Sequence, residues 1–276
     1  MGIFDGCLLA SDIDGTLVEN GEISERNFEK VDFFLREGGR FSLCTGRSVS
    51  AIEYVRSKFK YLDPCILANG CMAYDYNKKE ILFQHTLEKE DYKIARMVQN
   101  CGLNIGIEIH CEENVFTLRR TKETDIHQEY EGLNGIPINF EEVSKYNWNK
   151  ALYTFESAED REKFKELIGK EKTNSRFIDT IAMIYGQERY YHEQLPKGVS
   201  KFSAIKQLAE ILNIRQGGLF AIGDYYNDLE MIKNADIGAA TCDAPDEVKN
   251  AAKFITGSCE DGAVADFIDY LTEKFK

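Results

Sequence analysis

Proline, tryptophan and long apolar runs are scarce in this sequence. Four prolines and 21 glycines among 276 residues are too few for a fibrous or disordered chain, and 43% hydrophobic residues suffice for a folded core. No apolar run approaches the ~20 residues of a membrane-spanning helix. The N-terminus lacks a basic segment followed by an apolar one, so no secretory signal is expected. We therefore expect a cytoplasmic globular protein, with one large domain or one domain and a smaller companion.

Positive charge is in deficit. The 34 Lys and Arg residues stand against 47 Asp and Glu residues, which gives a formal net charge of −13. Such a charge argues against a nucleic-acid-binding coat, because phosphate backbones would be repelled. It argues equally against binding to an anionic membrane surface. If the substrate is itself anionic, local cations must overcome the overall field.

The cysteines show no Cys-x-x-Cys spacing. All eight are scattered, and several lie inside strand-like apolar runs, such as Cys44 and Cys65. This distribution favours reduced cysteines that act as small core residues over disulfides or zinc ligands.

The order of predicted elements indicates two structural units. In residues 1–85 three strands alternate with helices, and the same rhythm returns in residues 191–276, which is typical of a parallel sheet with crossover helices. In residues 86–190 helices alternate with pairs of short strands, which predicts an antiparallel sheet with helices on one face. We therefore predict an α/β fold: a doubly wound, mostly parallel, Rossmann-like core of residues 1–85 and 191–276, interrupted by an α+β domain at 86–190.

Two local predictions are more specific. A helix is expected at about 48–59, and short strands are expected near 176–178 and 181–185.

Two carboxylates, Asp12 and Asp14, directly follow the first buried strand. In open α/β sheets ligands bind outside the carboxyl ends of the strands. Two acidic groups this close repel each other unless a cation or a proton intervenes. An ordinary turn with acidic residues after a strand would show the same sequence pattern. An EF-hand loop is excluded, because its glycine and bidentate glutamate positions hold Leu17 and Ile23.

Other strand exits carry polar groups too. The segment Thr45-Gly46-Arg47 could bind a phosphate through the threonine hydroxyl and backbone N–H groups. It could equally be a capping threonine followed by a turn glycine. Arg47 could face either the substrate or the solvent. Lys201 lies in the first turn of a helix, where the dipole disfavours a cation, so an anionic partner is more plausible. Asp224, Asn227 and Asp228 follow the strand at residues 219–222.

Taken together, the polar residues that follow these strands predict a metal site beside a phosphate site. The carboxylates of Asp12, Asp14, Asp224 and Asp228, with room for water, suit Mg²⁺, a hard cation that prefers oxygen ligands. Phosphate-monoester hydrolysis can require about 10²¹-fold acceleration, whereas one acid–base group supplies about 10²–10⁴. The rest of the rate acceleration would have to come from a metal ion, a positioned lysine and a carboxylate that acts as a covalent nucleophile.

Four segments resemble, in order and context, the motifs of haloacid dehalogenase-like hydrolases. They are Asp12–Thr16, Thr45–Arg47, Lys201 and Gly223–Asp228. The large insertion between the second and third motifs, and Asn69-Gly70 after the third strand, are similar to the Cof-type phosphatases of subclass IIB, which carry a large α/β cap. The resemblance implies that residues 86–190 are that cap.

The resemblance also implies roles for individual residues. Asp12 would be the nucleophile that forms an aspartyl-phosphate, and Asp14 would protonate the leaving alcohol and then activate water. Mg²⁺ would be held by Asp12, the backbone carbonyl of Asp14, Asp224 and, in support, Asp228. The phosphoryl oxygens would be bound by Ile13, Thr45, Gly46, Lys201 and Asn227. In related ATPases and phosphonatases the position of Asp14 holds Thr or Ala, so an acid there favours phosphoester hydrolysis.

The predicted function is therefore Mg²⁺-dependent hydrolysis of a small phosphorylated metabolite, such as a sugar phosphate. A phosphosugar mutase of the same superfamily is an alternative, although those enzymes carry their cap between the first two motifs. A catalytically silent phosphometabolite-binding protein is another. A glycosyltransferase that uses Asp-x-Asp would leave Lys201 and Asp224 unexplained. Polar candidates in the cap, for which sheet or surface positions are equally consistent, are Glu108, His110, Arg119, Arg120 and Tyr185.

Overall fold

The computed structural model describes residues 2–276, which form two compact units. The first contains the described residues up to Gly46, together with Phe59–Phe83 and Ser200–Lys276. The second contains Arg47–Lys58 and Gln84–Val199. Among residues 2–276, none of the helices combines the length and the apolar character that a bilayer crossing requires.

Elements are numbered along the chain. The strands are β1 (Leu8–Ser11), β2 (Arg40–Leu43), β3 (Cys65–Leu67), β4 (Met72–Asp75), β5 (Glu80–Gln84), β6 (Ile105–Cys111), β7 (Asn114–Arg119), β8 (Ile136–Pro137), β9 (Lys150–Phe155), β10 (Ser175–Ile184), β11 (Gln187–Pro196), β12 (Leu219–Gly223), β13 (Ile237–Ala240) and β14 (Phe254–Ile255). The helices are α1 (Glu25–Arg36), α2 (Glu53–Arg56), α3 (Lys93–Asn100), α4 (Lys122–Glu131), α5 (Phe140–Val143), α6 (Ala158–Ile168), α7 (Lys201–Ile211), α8 (Leu229–Asn234), α9 (Asp246–Ala251) and α10 (Ala263–Phe275).

A parallel sheet lies at the centre of the first unit. Its strand order is β14-β13-β12-β1-β2, and each neighbouring pair is parallel. A further parallel bridge joins Cys44, just after β2, to Ile66 of β3. Because β1, β2, β12 and β13 run in the same direction, their carboxyl ends meet at one edge. The predicted mostly parallel α/β core is confirmed.

Helices cover both faces of this sheet. Ala221 of β12 packs in one cluster with Leu208 of α7 and Met231 of α8. Its neighbour Phe220 points the other way, since side chains alternate along a strand, and its ring lies 5.5 Å from that of Phe275 in α10. Both faces are therefore buried, which explains why β1 and β12 read as continuous apolar runs.

The second unit contains a six-stranded sheet with the order β10-β11-β9-β6-β7-β8. Its pairings are antiparallel, apart from the parallel pair β7–β8. Side chains on alternate positions of β6 and β9, such as Ile107 and Tyr153, pack against Val98 of α3 and Phe164 of α6. This cluster is the hydrophobic core of the unit.

The expectation that helices cover only one face of this sheet is wrong. Glu108 alternates with Ile107 and so points to the opposite face. There it meets His127 of α4, whose Nδ1 lies 3.0 Å from the carboxylate. Helix α4 therefore packs on the face opposite α3 and α6, against polar as well as apolar side chains.

Two local expectations also differ from the structure. The short strands expected near 176–178 and 181–185 are one ten-residue strand, β10, which pairs with β11 in a long hairpin. The helix expected at 48–59 is a 3₁₀ turn (Ser50–Ile52) followed by the single turn of α2.

Residues 47–58 belong to the second unit in the structure. The sequence analysis had assigned them to the core and predicted the insertion at 86–190. Ala51 is buried in a cluster with Val115 and Leu133. The Arg47 guanidinium lies 5.5 Å from the centre of the Tyr130 ring. These contacts tie the segment after β2 to α4 and β7.

Candidate active site

The described residues place four strand ends at one edge of the parallel sheet. Asp12 directly follows β1, Asp224 directly follows β12 and Thr241 directly follows β13. Thr45 is the second residue after β2. Backbone hydrogen bonds hold this edge in register: the Asp12 N–H donates to the carbonyl of Ile222 at 3.0 Å, and the Thr241 N–H donates to the carbonyl of Gly223 at 3.2 Å. The predicted convergence of the motifs is therefore a consequence of the strand order.

Lys201 connects two carboxylates of this edge. Its Nζ donates to Oδ1 of Asp12 at 2.7 Å and to Oδ1 of Asp228 at 2.6 Å. The lysine is only 1% exposed, so these contacts are shielded from water. Ser200 places it by capping α7: its hydroxyl accepts from the N–H of Ser203 at 3.1 Å. Charge-assisted hydrogen bonds of this kind fix the carboxylates in place.

Asp228 also shapes the turn that carries Asp224. Its Oδ2 accepts hydrogen bonds from the backbone N–H groups of Asp224 and Tyr225, each at 3.2 Å. On the other side, the Thr16 hydroxyl donates to Oδ1 of Asp224 at 2.8 Å. Asp224 is thus held between a turn that follows β12 and a turn that follows β1.

Gly15 makes the close approach of these turns possible. Its φ is +75°, in the left-handed region, and a Cβ on it would lie 2.7 Å from Oδ2 of Asp224. An L side chain at this position would be strained and would also displace the carboxylate.

Three carboxylates lie close enough to share one metal ion. One oxygen from each of Asp12, Asp224 and Asp228 lies within 4.8 Å of the others. With Lys201 they leave an excess of two negative charges, which a divalent cation would balance. All the donors are carboxylate oxygens, which suit Mg²⁺. The residues therefore fit that ion. Asp14 is not one of the three, and the resemblance assigns to it a backbone carbonyl instead.

The pKa values describe the same surplus of negative charge. Burial, together with Asp228, raises the pKa of Asp12 well above the ordinary range. Burial and Asp228 likewise raise the pKa of Asp224 to about 7. Burial opposes the charged form of Lys201, but the carboxylates of Asp12 and Asp228 outweigh it and raise the pKa of the lysine. Strongly shifted pKa values are a frequent property of active sites.

Asn69 links two of the predicted phosphate-binding segments. Its backbone N–H donates to the carbonyl of Thr45 at 3.0 Å, and its Oδ1 accepts from Nδ2 of Asn227 at 3.2 Å. The residue adopts a left-handed conformation, with φ +56°, which asparagine tolerates. The sequence predicted no role for Asn69 or for Thr16 in positioning. The only signal was that each lies inside or beside a motif.

The remaining predicted residues lie as follows. Ile13 is buried directly after Asp12, and Asp14 is half-buried in the turn that follows. Gly46 lies beside Asn69, since a Cβ on it would be 3.0 Å from the amide nitrogen. Arg47 belongs to the second unit, where its Nη1 lies 3.7 Å from Oε1 of Glu131.

The polar candidates that the sequence placed in residues 86–190 all lie in the second unit, and most of them have structural partners there. Arg119 donates to the carbonyls of Val98 and Gln99 at the end of α3. Arg120 pairs with Asp125 on the surface, and Tyr185 is exposed at the turn between β10 and β11. Glu108 and His110 are buried under α4.

Comparisons with known proteins agree with this geometry. Residues 9–268 match the family model of haloacid dehalogenase-like hydrolases. The chain belongs to this family. One relative is YxeH of Bacillus subtilis, which is named as a phosphatase. It is 26% identical to this chain, and the match covers 96% of this chain and 97% of YxeH. YwtE of the same organism, named a 5-amino-6-(5-phospho-D-ribitylamino)uracil phosphatase, is 26% identical over 95% of this chain and 97% of its own length.

The fold is shared with solved structures. BT4131, described as a sugar phosphatase of subclass IIB, has a TM-score of 0.80 and 20% identity, with 96% of this chain and 99% of that chain covered. A haloacid dehalogenase-like hydrolase from B. subtilis gives the same TM-score, 0.80, at 21% identity, again with 96% of this chain and 99% of that chain covered. The predictions of this family, of its α/β fold and of an enzyme of the phosphatase type are confirmed.

Proposed function

We propose that this chain is a Mg²⁺-dependent phosphatase that hydrolyses phosphate monoesters of small metabolites through an aspartyl-phosphate on Asp12. The observation that carries the proposal is the contact of Lys201 with Asp12 and Asp228, at 2.7 and 2.6 Å. A buried lysine in this position orients the attacking carboxylate and supplies positive charge for the phosphoryl oxygens. Thr45, Gly46, Asn227 and the backbone of Ile13 complete the proposed phosphate site.

Asp12 and Asp14 divide the chemistry between them. A carboxylate oxygen of Asp12 attacks phosphorus, the ester P–O bond breaks, and Asp14 gives a proton to the leaving oxygen. Water then attacks phosphorus and gives a proton to Asp14, and the bond between phosphorus and Asp12 breaks. Inorganic phosphate and the original carboxylate result. Lys201 stays protonated throughout and holds Asp12 in its attacking position.

Mg²⁺ would be held by Asp12, Asp224, the backbone carbonyl of Asp14 and, in support, Asp228. When bound, the ion neutralises negative charge on the carboxylates and on the phosphoryl group. Asp228 and Thr16 keep Asp224 in place for this role through their hydrogen bonds to its backbone and side chain.

Substitution of Asp12 tests the nucleophile. Asp12→Asn should lower phosphate release from p-nitrophenyl phosphate by about 10⁴-fold or more, because the attacking carboxylate is lost. The matched control is Asp246→Asn, which neutralises an exposed aspartate of the same unit whose side chain is 92% exposed. Undiminished turnover in a purified Asp12→Asn enzyme would contradict the proposed intermediate.

Asp14 should be sensitive to the leaving group. Asp14→Asn should lower kcat by about 10²–10⁴-fold on a sugar phosphate, whose alkoxide needs a proton. The first step with p-nitrophenyl phosphate should change less, since p-nitrophenolate leaves without one. Without a base for the second step, the variant should accumulate the aspartyl-phosphate, which acid quench would detect. Equal losses of the first step on both substrates would contradict the acid role.

The substrate class is part of the proposal. Two relatives, YwtE and YcsE of B. subtilis, carry the name of a phosphatase for a phosphorylated ribitylamino-uracil, each at 26% identity. A panel of sugar phosphates, nucleotides, pyridoxal phosphate and that compound, assayed for Mg²⁺-dependent phosphate release, would rank them by kcat/KM. We also propose a cytoplasmic location. It is supported by the eight cysteines, which are thiols in the structure, as a reducing compartment favours.

A further inference from the structure

The end of strand β3 joins the sheet edge that carries the candidate active site. Residues 68–70 form a short turn directly after β3. The Thr45 N–H donates to the carbonyl of Ile66 in β3 at 2.9 Å, and the Asn69 N–H donates to the carbonyl of Thr45 at 3.0 Å. The turn therefore continues the pairing beyond the strand and holds Thr45, one of the predicted phosphate-binding residues, through both of its backbone polar groups.

The backbone of this turn is strained. Ala68, Asn69 and Gly70 all have positive φ, of +49°, +56° and +102°. Glycine adopts such angles readily and asparagine tolerates them, whereas for alanine they are unfavourable. Strained backbone persists only where surrounding contacts hold it, and it is concentrated at functional sites. The contacts of the Asn69 side chain contribute to offsetting this strain.

The carboxamide of Asn69 lies between the loop after β2 and the loop after β12. It rests against Gly46: a Cβ there would come within 3.0 Å of Nδ2 and 3.2 Å of Oδ1 of Asn69. Its Oδ1 accepts a hydrogen bond from Nδ2 of Asn227 at 3.2 Å. Asn69 is only 2% exposed, whereas Asn227 is half-buried. Of the two amides, that of Asn227 is therefore the one that an anion from solution can reach.

The hydrogen bond to Asn69 decides which way the Asn227 amide is turned. A side-chain amide carries two N–H donors on its nitrogen and an acceptor at its oxygen. Nδ2 of Asn227 gives one N–H to Asn69, and among residues 2–276 it has no second acceptor. A flipped amide would set two oxygens against each other. The nitrogen is thus held in place, and its second N–H is available to phosphoryl oxygens, which accept from N–H groups and repel a carbonyl oxygen.

We propose that Asn69 is a positioning residue of the phosphate site, which acts by fixing the Asn227 amide so that an N–H is offered to the phosphoryl group. The inference rests on the proposed function, because that function assigns phosphate binding to Asn227. Asn69 itself touches neither the phosphoryl group nor the metal ion in this assignment. Its side chain should therefore matter only while Asn227 is present.

A double-mutant cycle tests this dependence. Asn69→Gly removes the carboxamide and keeps the left-handed backbone, which glycine adopts freely. It should lower kcat/KM for p-nitrophenyl phosphate about 10-fold, because an oriented hydrogen bond to a charged group is lost. Asn227→Ala should lower it by about 10- to 100-fold. The double variant should lie within about twofold of Asn227→Ala alone, and a loss equal to the product of the two single losses would overturn the proposal.

The matched control is Asn213→Gly. Asn213 has nearly the same φ, +54°, and lies exposed just after α7 in the same unit. The same substitution there should change kcat/KM by less than about twofold. In ¹⁵N NMR, the side-chain NH₂ signal of Asn227, identified by its loss in Asn227→Ala, should shift in Asn69→Gly and stay in place in Asn213→Gly. An unchanged signal in Asn69→Gly would overturn the proposal.

Calorimetric titration of inorganic phosphate, with Mg²⁺ present, separates this inference from the proposed function. The Kd should rise about 10-fold in Asn69→Gly, with the same lack of additivity in the double variant. A wild type that binds phosphate but hydrolyses no ester would contradict the proposed function alone. An active wild type with additive losses in the cycle would contradict this inference alone. A wild type that neither binds phosphate nor hydrolyses esters would overturn both.

Discussion

Gly70 lies against the backbone of Ser200, so closely that a Cβ on residue 70 would come within 2.2 Å of the Ser200 carbonyl oxygen. Ser200 caps α7, and Lys201 is the first residue of that helix. Gly70 also has φ +102°, a conformation that L residues avoid. The position of Lys201 therefore depends on the absence of a side chain at Gly70, a residue far away in the chain.

Gly70→Ala should move the start of α7 and lower both activity and stability. We expect the free energy of unfolding to fall by about 2–4 kcal/mol, from backbone strain together with the clash. The phosphatase rate should fall by more than 10-fold, because Lys201 moves relative to Asp12. The control is Gly217→Ala: Gly217 has φ +76° but open space around it, so that variant carries the strain alone. Urea denaturation and kcat would show whether Gly70→Ala is the more damaging, and equal effects would contradict the argument.

Lys201→Met should destabilise the first unit. The substitution removes the cation that lies between two buried carboxylates, Asp12 and Asp228. Breaking a buried ion pair by removing one partner costs about 3–5 kcal/mol, because the remaining charge is left buried. The matched control is Lys206→Met, which removes an exposed lysine from the same helix.

A second substitution separates charge from packing. In Lys201→Met/Asp228→Asn one of the stranded charges is gone, so part of the lost stability should return. Denaturant midpoints of the single and double variants, measured without added metal, would test this. No recovery in the double variant would mean that the methionine side chain, and not the unpaired charge, causes the loss.

Thr16→Val should weaken metal binding at the predicted site. The Thr16 hydroxyl donates to Oδ1 of Asp224 at 2.8 Å, and groups that orient a metal-binding carboxylate typically affect affinity by about 10–100-fold. Thr16→Ser keeps the hydroxyl and should keep most of the affinity. Calorimetric titration of Mn²⁺ into both variants would test the prediction, and equal affinities in the two would contradict it.

The acidic residues of the site could be predicted from the sequence because they follow apolar strands directly. Once β1 and β12 are recognised as buried parallel strands, Asp12 and Asp224 must lie at the same sheet edge. The pairing of Lys201 with Asp228 could not be derived in this way, because it depends on the angle at which α7 meets the sheet. That angle depends on tertiary contacts, such as the packing of Leu208 in the core cluster and the close approach of Gly70 to Ser200.

The second unit was harder to predict because polar residues are buried there. Strand β11 contains Glu193 and Gln194, both buried, and lacks the apolar alternation that marks a half-exposed strand. Glu193 is accommodated because Lys150, on the adjacent strand β9, donates to it at 3.0 Å. Such partners come from distant parts of the chain, so single-sequence periodicity does not reveal the strand.

The buried pair of Glu108 and His127 should give the second unit a pH-dependent stability. Burial opposes both charged forms, but the proximity of the two groups outweighs it, so folding lowers the pKa of Glu108 and raises that of His127. Glu108 stabilises the folded state above its unfolded pKa of about 4.5, and this stabilisation is lost as the pH falls through its folded pKa. His127 stabilises the folded state below its unfolded pKa of about 6.5, and this stabilisation is lost as the pH rises through its folded pKa.

The pair should therefore contribute most between about pH 4.5 and 6.5. Glu108→Gln should lower the free energy of unfolding by about 3 kcal/mol in that window, since His127 is left charged and buried. At pH 8 and above the loss should be smaller, because His127 can lose its proton. Glu129→Gln, an exposed residue of the same helix as His127, is the control and should change little at either pH. A loss that is the same at pH 5.5 and pH 8.5, or an NMR titration of His127 with an ordinary midpoint, would show that the two groups do not form an ion pair in the folded protein.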